Sequence, residues 1–260
     1  MAAAEHPYAR LAEELRGTSV SQIRYVESTA STNDDAAALL GDPAALGTTI
    51  VAEHQTGGIG RKGRPWLAAP GTSLLMTSIL PRSMPAANLW IVPFGVAIAV
   101  RRALANCGIR ADLHWPNDML VGGKKLAGIL CISRVVGDRA CVAAGVGINV
   151  HRKAGASDGI DPPPAFCDDV VPTIERAALL RQILLNYDVW HSALDMPPRI
   201  ARVWERQAGI PGARYRILKD DANDAIDVTA LALANGGGLL VQGDNGRKET
   251  IDLADARALR

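Results

Sequence analysis

Nowhere in its 260 residues does the chain hold a continuous apolar run of about eighteen residues, so no membrane span is expected. It has no charge excess either: 28 Lys plus Arg face 27 Asp plus Glu, a formal net charge of +1. A general nucleic-acid binder carries a strong basic surplus, so no nucleic-acid partner is expected. The four cysteines, Cys107, Cys131, Cys141 and Cys167, have no C-x-x-C spacing and no histidine at zinc-site intervals. They read as small apolar side chains in a reducing compartment. The segment MAAAEHPYARLAEELRG carries charges where a secretory leader needs an unbroken apolar stretch, and the expected location is cytoplasmic. No internal repeat is evident. What is present is 48% apolar and 21% charged residues, a soluble globular composition with material for one large domain plus a small one.

One absence is local. From His54 to Ala111 there is no acidic residue, while Arg61, Lys62, Arg64, Arg82, Arg101, Arg102 and Arg110 fall inside. Arg101 and Arg102 fit an ordinary helix surface. The cations at 61, 62 and 64 sit in a glycine loop and call for an anion.

Along the chain, residues 7–16 read as a short helix and 22–27 as a strand. Ser31, Thr32, Asn33, Asp34 and Asp35 open a helix with capping side chains, which Gly41-Asp42-Pro43 stops. Strands are expected at 48–53 and 72–80, and a long apolar helix at 88–107 with Pro93 near its first turn. A strand end at 113–115 runs into Pro116, and 125–134 with 140–150 form a hairpin around Gly137-Asp138. Residues 151–171, with three consecutive prolines, read as a lid or a mobile loop. Helices are expected at 173–194 and 199–207. From Gly212 short β-rich runs alternate with turns, the pattern of a small barrel docked on the main body.

Gly58-Ile59-Gly60-Arg61-Lys62-Gly63 matches the dinucleotide fingerprint G-x-G-x-x-G, yet Arg64-Pro65-Trp66 leads to a strand rather than a helix. No acid follows about twenty residues on, and no Lys-Ser or Lys-Thr makes it a P-loop. Four glycines, Gly57, Gly58, Gly60 and Gly63, leave backbone amides to approach a ligand. Arg61 and Arg64 add forked donors suited to phosphate or carboxylate oxygens.

This segment resembles the glycine–arginine loop of biotin protein ligases, present here as Gly58-Ile59-Gly60-Arg61-Lys62-Gly63-Arg64-Pro65-Trp66. Ser31-Thr32-Asn33, Glu53-His54-Gln55, Trp115-Pro116-Asn117-Asp118, Lys125-Leu126-Ala127-Gly128-Ile129-Leu130 and Gly145-Val146-Gly147-Ile148-Asn149 are similar to further motifs of that family, in its order. The β-rich tail ending Ala258-Leu259-Arg260 resembles its small SH3-like domain.

The resemblance implies an α+β fold: a mixed-sheet, class II synthetase-like catalytic domain at 1–210 and a small C-terminal SH3-like β-barrel at 211–260. About 30 residues precede Ser31, which implies the form without an N-terminal DNA-binding domain. The implied activity joins biotin to ATP as biotinyl-5′-adenylate and passes biotin to a lysine of a biotin carboxyl carrier domain. The carrier belongs to a biotin-dependent carboxylase, and a homodimer is left open.

Implied catalytic residues are Lys125, Arg61, Arg64 and Asp118, since a carboxylate attacking a phosphate needs cations on both partners. Ser31, Thr32, Gln55, Lys125 and Gly128 would bind biotin, whose ureido group needs a few fixed polar partners in an apolar pocket. Gly58, Gly60, Arg61, Gly63, Arg64, Trp66, Asn117 and Asn149 would bind ATP or the adenylate, with Phe166 an adenine neighbour. Mg²⁺ accompanies ATP, and Asn117 and Asp118 are where it would be placed. Ser31 and Thr32 serve equally as helix caps, Trp66 and Trp115 as core or pocket wall, and Asn117 and Asp118 as turn residues.

Two departures stand out: Ile59 where the family's first loop arginine falls, and His114 before Trp115. Ile59 predicts weaker charge neutralisation, and so poorer retention of the adenylate or a higher biotin requirement, unless Lys62 or Lys125 compensates. The alternatives are a lipoate or octanoate ligase of the same fold and a non-catalytic, biotin-binding regulatory relative.

Overall fold

A computed structural model describes residues 6–155, 160–220, 222–254 and 256–259. Arg260 and residues 156–159 of the proline-rich loop, which carried expectations above, lie outside them. The elements, in chain order, are α1 (Leu11–Glu14), β1 (Gln22–Thr29), α2 (Thr32–Ala37), β2 (Thr48–Gln55), β3 (Ser73–Ile79), β4 (Met84–Pro85) and α3 (Val92–Asn106). Next come β5 (Asp112–His114), β6 (Asp118–Val121), β7 (Lys124–Val136), β8 (Arg139–Asn149), α4 (Arg176–Trp190) and α5 (Pro197–Gln207). The tail supplies β9 (Arg214–Lys219), β10 (Ile226–Leu233), β11 (Leu239–Gly243), β12 (Lys248–Ile251) and β13 (Ala256–Leu259).

The architecture is α+β. A mixed sheet has the order β1-β2-β3-β8-β7-β6-β5, with β4 also on β8, and only the β1–β2 pair is parallel. A second, antiparallel sheet has the order β12-β11-β10-β9-β13. Sequence reading missed β4, β6 and β13, each of four residues or fewer and too short to establish a period.

The two-residue alternation of strands sorts the core. Leu74 and Met76 of β3, with Val142, Ala144, Val146 and Ile148 of β8, enter the main core beneath α3 and α4. A smaller cluster of Ala36, Leu40, Ala45, Ile50, Ile79 and Ala143 lies under α2. The stretch Ala86–Asn106 does reach the length and apolarity of a membrane-crossing helix, unlike the expectation from composition. Here it is a core helix: Phe94, Val96, Val100 and Leu104 are fully buried, and it packs on α4 and α5.

Trp115 joins the two sheets. It is completely buried, its Nε1 donates to the Gly237 carbonyl at 3.0 Å, and its backbone N–H donates to the Tyr215 hydroxyl at 3.3 Å. His114 packs on Tyr215, ring centroids 4.9 Å apart. Of the two expectations for Trp115, core and pocket wall, the core position is the one found.

Candidate active site

Where α2 begins, β3, β8 and β7 line a partly open inner chamber. Ser31 caps α2 by accepting a hydrogen bond from the Asn33 N–H at 3.2 Å. Thr32 donates to Gln55 Oε1 twice, from its backbone N and its Oγ1, both at 2.9 Å. Thr77 Oγ1 lies 2.8 Å from Thr32 Oγ1 and 2.8 Å from Asn33 Oδ1, and Asn33 Nδ2 donates to the Leu130 carbonyl at 3.2 Å. Both lone-pair sites of Gln55 Oε1 are therefore filled, which fixes the amide so that its Nε2 donors are the unused end. Ser31 Oγ, having accepted, keeps its own proton to give. Asn33 and Thr77 were not among the expected site residues. Thr77 is a fully buried hydroxyl inside the apolar run SLLMTSI, and that is the signal that could have found it.

Three strand glycines shape the floor. Gly145 pairs with Thr77 and Leu130, and Gly147 with Leu75 and Gly128. A Cβ at Gly145 would meet Asn33 Oδ1 at 2.3 Å and the Leu130 carbonyl at 2.8 Å. One at Gly147 would meet the Trp66 ring at 2.7 Å. Gly128 is covered by the Lys125 stem and by Trp66, each 3.2 Å from where its Cβ would be. Trp66 thus lies flat on the sheet, and its Nε1 is buried with no hydrogen-bond partner among the described residues. A buried indole N–H normally finds an acceptor, so this donor is set for a ligand.

Lys125 stands at the chamber's edge. Its Nζ pairs with Asp118 Oδ1 at 2.6 Å and lies 5.5 Å from the Trp66 ring centroid. The side chains are 19% and 11% exposed, so little solvent screens the pair. Asn117 and Asn149 hold the strand that carries this lysine. Asn117 Nδ2 donates to the Ile129 carbonyl at 2.8 Å, and Asn149 Nδ2 to the Lys125 carbonyl at 3.3 Å.

Beyond Lys125 opens an outer compartment, lined by Arg61, Arg64, Thr72, Ser73, Asn149 and Phe166, among others. Gly60, Trp66, Asn117 and Lys125 border both spaces. Phe166 is buried beneath the Arg152 guanidinium, 4.4 Å from its ring centroid, and Arg152 forks onto Asp169 at 2.7 and 2.9 Å. The Ala165 N–H donates to the Lys125 carbonyl at 2.9 Å, tying this segment to β7.

The glycine loop is a closed hairpin. Trp66 N donates to Gly58 O at 2.8 Å, Gly60 N to Arg64 O at 2.7 Å, and Gly57 N to Ala30 O at 2.9 Å. Those amides are engaged by protein carbonyls, so the expectation of freely offered backbone amides does not hold for Gly57 and Gly60. Lys62 (φ 58°) and Gly63 (φ 69°) make the tip in left-handed conformations, and Lys62 is the one non-glycine residue with positive φ among those described. Arg61 turns its guanidinium to the Leu253 carbonyl, and Lys62 reaches Asp220 at 2.5 and 2.6 Å. Burial, then the neighbouring Arg64, pull the Arg61 pKa below its ordinary value.

Of the expected residues, Ser31, Thr32, Gln55, Gly60, Arg61, Arg64, Trp66, Asn117, Lys125, Gly128 and Asn149 line the two spaces. Asp118 reaches them through Lys125. Gly58 packs behind Gln55, and Gly63 sits at the exposed tip. The donor set at Asn117 and Asp118 does not fit a protein-held cation: an ammonium sits on the carboxylate and the asparagine amide holds a strand.

Residues 25–149 match the Biotin/lipoate A/B protein ligase family. The biotin–[acetyl-CoA-carboxylase] ligase of Mycobacterium tuberculosis is 30% identical over 223 residues, which span 82% of this chain and 80% of that protein. The bifunctional ligase/repressor BirA of Bacillus spizizenii is 33% identical over 174 residues, 63% of this chain, and the match spans about half of that relative's length (52%). Among solved structures, the biotin protein ligase of Aquifex aeolicus in complex with biotin and ATP has the same fold. Its TM-score is 0.73 at 21% identity, over 92% of this chain and 99% of the other. The fold is shared with that structure, and the sequence places the chain in the class of the biotin/lipoate A/B protein ligase family. Within that class, the chain belongs to the biotin protein ligase family.

Proposed function

We propose that the protein activates biotin with ATP and transfers it to a lysine of a biotin carboxyl carrier domain. The observation that carries this reading is the meeting of two compartments at one cation, Lys125. A biotin oxygen attacks the α-phosphorus, the bond to the β-phosphate breaks, and pyrophosphate departs. The carrier amine then attacks the acyl carbon and AMP leaves with the electron pair. Lys125 neutralises the carboxylate, while Arg61 and Arg64 border the outer space where phosphates would lie. Asp118, the ion-pair partner of Lys125, would draw in the acceptor ammonium and take its proton.

The inner chamber favours biotin over lipoate or octanoate. Gln55 Nε2, Ser31 O–H and Trp66 Nε1 are donors that suit a ureido carbonyl. A dithiolane or an alkyl chain brings no such acceptor and would leave each donor unpaired, at roughly 1–3 kcal/mol apiece.

Ile59 borders the chamber and is 50% exposed. Lys62 cannot stand in for an arginine there while it is held by Asp220. Ile59→Arg is expected to slow adenylate dissociation roughly tenfold through one charge-assisted contact; equal off-rates would refute this.

The deciding experiment is exchange of labelled pyrophosphate into ATP, with biotin, lipoate and octanoate tested separately. It is followed by mass detection of a modified carrier domain. Biotin-dependent exchange is expected. Exchange with lipoate or octanoate alone, or with none of the three, overturns the reading.

A further inference from the structure

The glycine loop does not hold its shape alone. Its hairpin is stiffened by the Gly58–Trp66 and Gly60–Arg64 hydrogen bonds, but the tip is held from the other sheet. Lys62 Nζ meets both carboxylate oxygens of Asp220, which directly follows β9, and the Arg61 guanidinium meets the Leu253 carbonyl between β12 and β13. Lys62 makes this contact from a left-handed backbone that a lysine rarely adopts. The base of the same hairpin carries Ile59, Gly60 and Trp66 into the inner chamber.

We infer that Asp220 is a positioning residue for the ligand site: it latches the tip of the glycine loop to the small sheet and so fixes Trp66 and Gly60 at the junction of the two compartments. The functional arm of this inference rests on the adenylate-forming activity proposed above; the structural arm does not. The Lys62 and Asp220 side chains are 28% and 55% exposed, so the latch is weak and reversible rather than a permanent strut. That is the character a loop needs if it opens for substrate and closes on an intermediate. The small sheet thereby acts on the chemistry without lining the inner chamber.

Two variants test the latch. In Asp220→Asn, trypsin cleavage after Arg61 and Lys62 should quicken about threefold, with the thermal midpoint of the whole chain unchanged. The Arg64–Pro65 bond resists trypsin and serves as an internal control. In the exchange assay the same variant should raise the KM for biotin and the adenylate off-rate about threefold, with kcat little changed. The exchanged pair Lys62→Asp/Asp220→Lys should restore the wild-type KM. Unaltered nicking in Asp220→Asn, or failure of the exchanged pair to recover KM, overturns the inference. Should the wild type show no biotin-dependent exchange, the nicking rates still decide whether the latch exists, and only the proposed activity falls.

Discussion

Replacing Lys125 with methionine is expected to lower biotin-dependent pyrophosphate exchange by about 10²–10³-fold, the scale on which one preorganised charge-stabilising group acts. The physical reason is charge. A carboxylate approaching a phosphate is an anion meeting an anion, and Lys125 is the cation that borders both compartments. Methionine keeps the apolar stem that lies across Gly128 beside the Trp66 ring, so the loss is electrostatic rather than one of packing. The substitution also removes the 2.6 Å partner of Asp118, so folding must be checked by its thermal midpoint. The double variant Asp118→Asn/Lys125→Met, with no carboxylate left there, should recover any stability and none of the exchange rate. Activity of Lys125→Met within threefold of wild type would sink the assignment. Asp118→Ala supplies the companion result: unchanged adenylation and transfer rates would reduce Asp118 to a turn residue.

The second large effect lies outside the motifs. Arg176, the first residue of α4, forks onto Glu53 at 2.8 and 3.1 Å, and one arm also lies 3.4 Å from the Ser73 carbonyl. The two side chains are 15% and 22% exposed. Glu175, at the helix cap, makes no side-chain capping bond, so this ion pair is what ties the start of α4 to β2 and β3. Arg176→Met is expected to destabilise the fold by about 3 kcal/mol, because a largely buried carboxylate loses its partner. In a chain of this size that lowers the melting midpoint by roughly 6–12 °C. Replacing both partners, Glu53→Leu with Arg176→Met, should return most of the loss, since the desolvated charge is gone. Urea unfolding of the three variants checks this. A loss below about 1 kcal/mol for the single change would mean that the pair is effectively solvated.

How much of this was legible beforehand varies by residue. Ser31 as a helix cap, a strand opening near Lys125 and a long helix over most of 88–107 follow from local rules, and local rules held. The sequence reads the glycine loop as a cation-bearing turn, which it is, and as a source of free amides, which fails at Gly57 and Gly60. Sequence counts donors but cannot see that Gly60 and Trp66 find carbonyls within the loop. Arg176 and Glu53 lie 123 positions apart and Lys62 and Asp220 lie 158 apart, and no periodicity predicts such pairings. Trp115 was ambiguous because a motif says that a residue matters, not which way it faces. Its indole N–H turned to Gly237 is a tertiary fact. Thr77 leaves a trace in the sequence as a hydroxyl inside the apolar run SLLMTSI, but its place against Gly145, and Asn33 beside it, come from strand register.

The hydroxyl pair beneath the chamber has a direction. Thr32 and Thr77 own two hydroxyl protons between them, and three contacts of 2.8–2.9 Å compete for these: Thr32 with Gln55, Thr32 with Thr77, and Thr77 with Asn33. One contact is always left without a proton. A ligand carbonyl accepting from Gln55 Nε2 makes Oε1 of the same amide a stronger acceptor, which holds the Thr32 proton there. With the Thr32 proton on Gln55, Thr77 is left to serve either Thr32 or Asn33, whose amide rests against Gly145 and the Leu130 carbonyl of β7. The choice Thr77 makes between Thr32 and Asn33 is thus tied to the proton that Thr32 gives Gln55, with no backbone having to move.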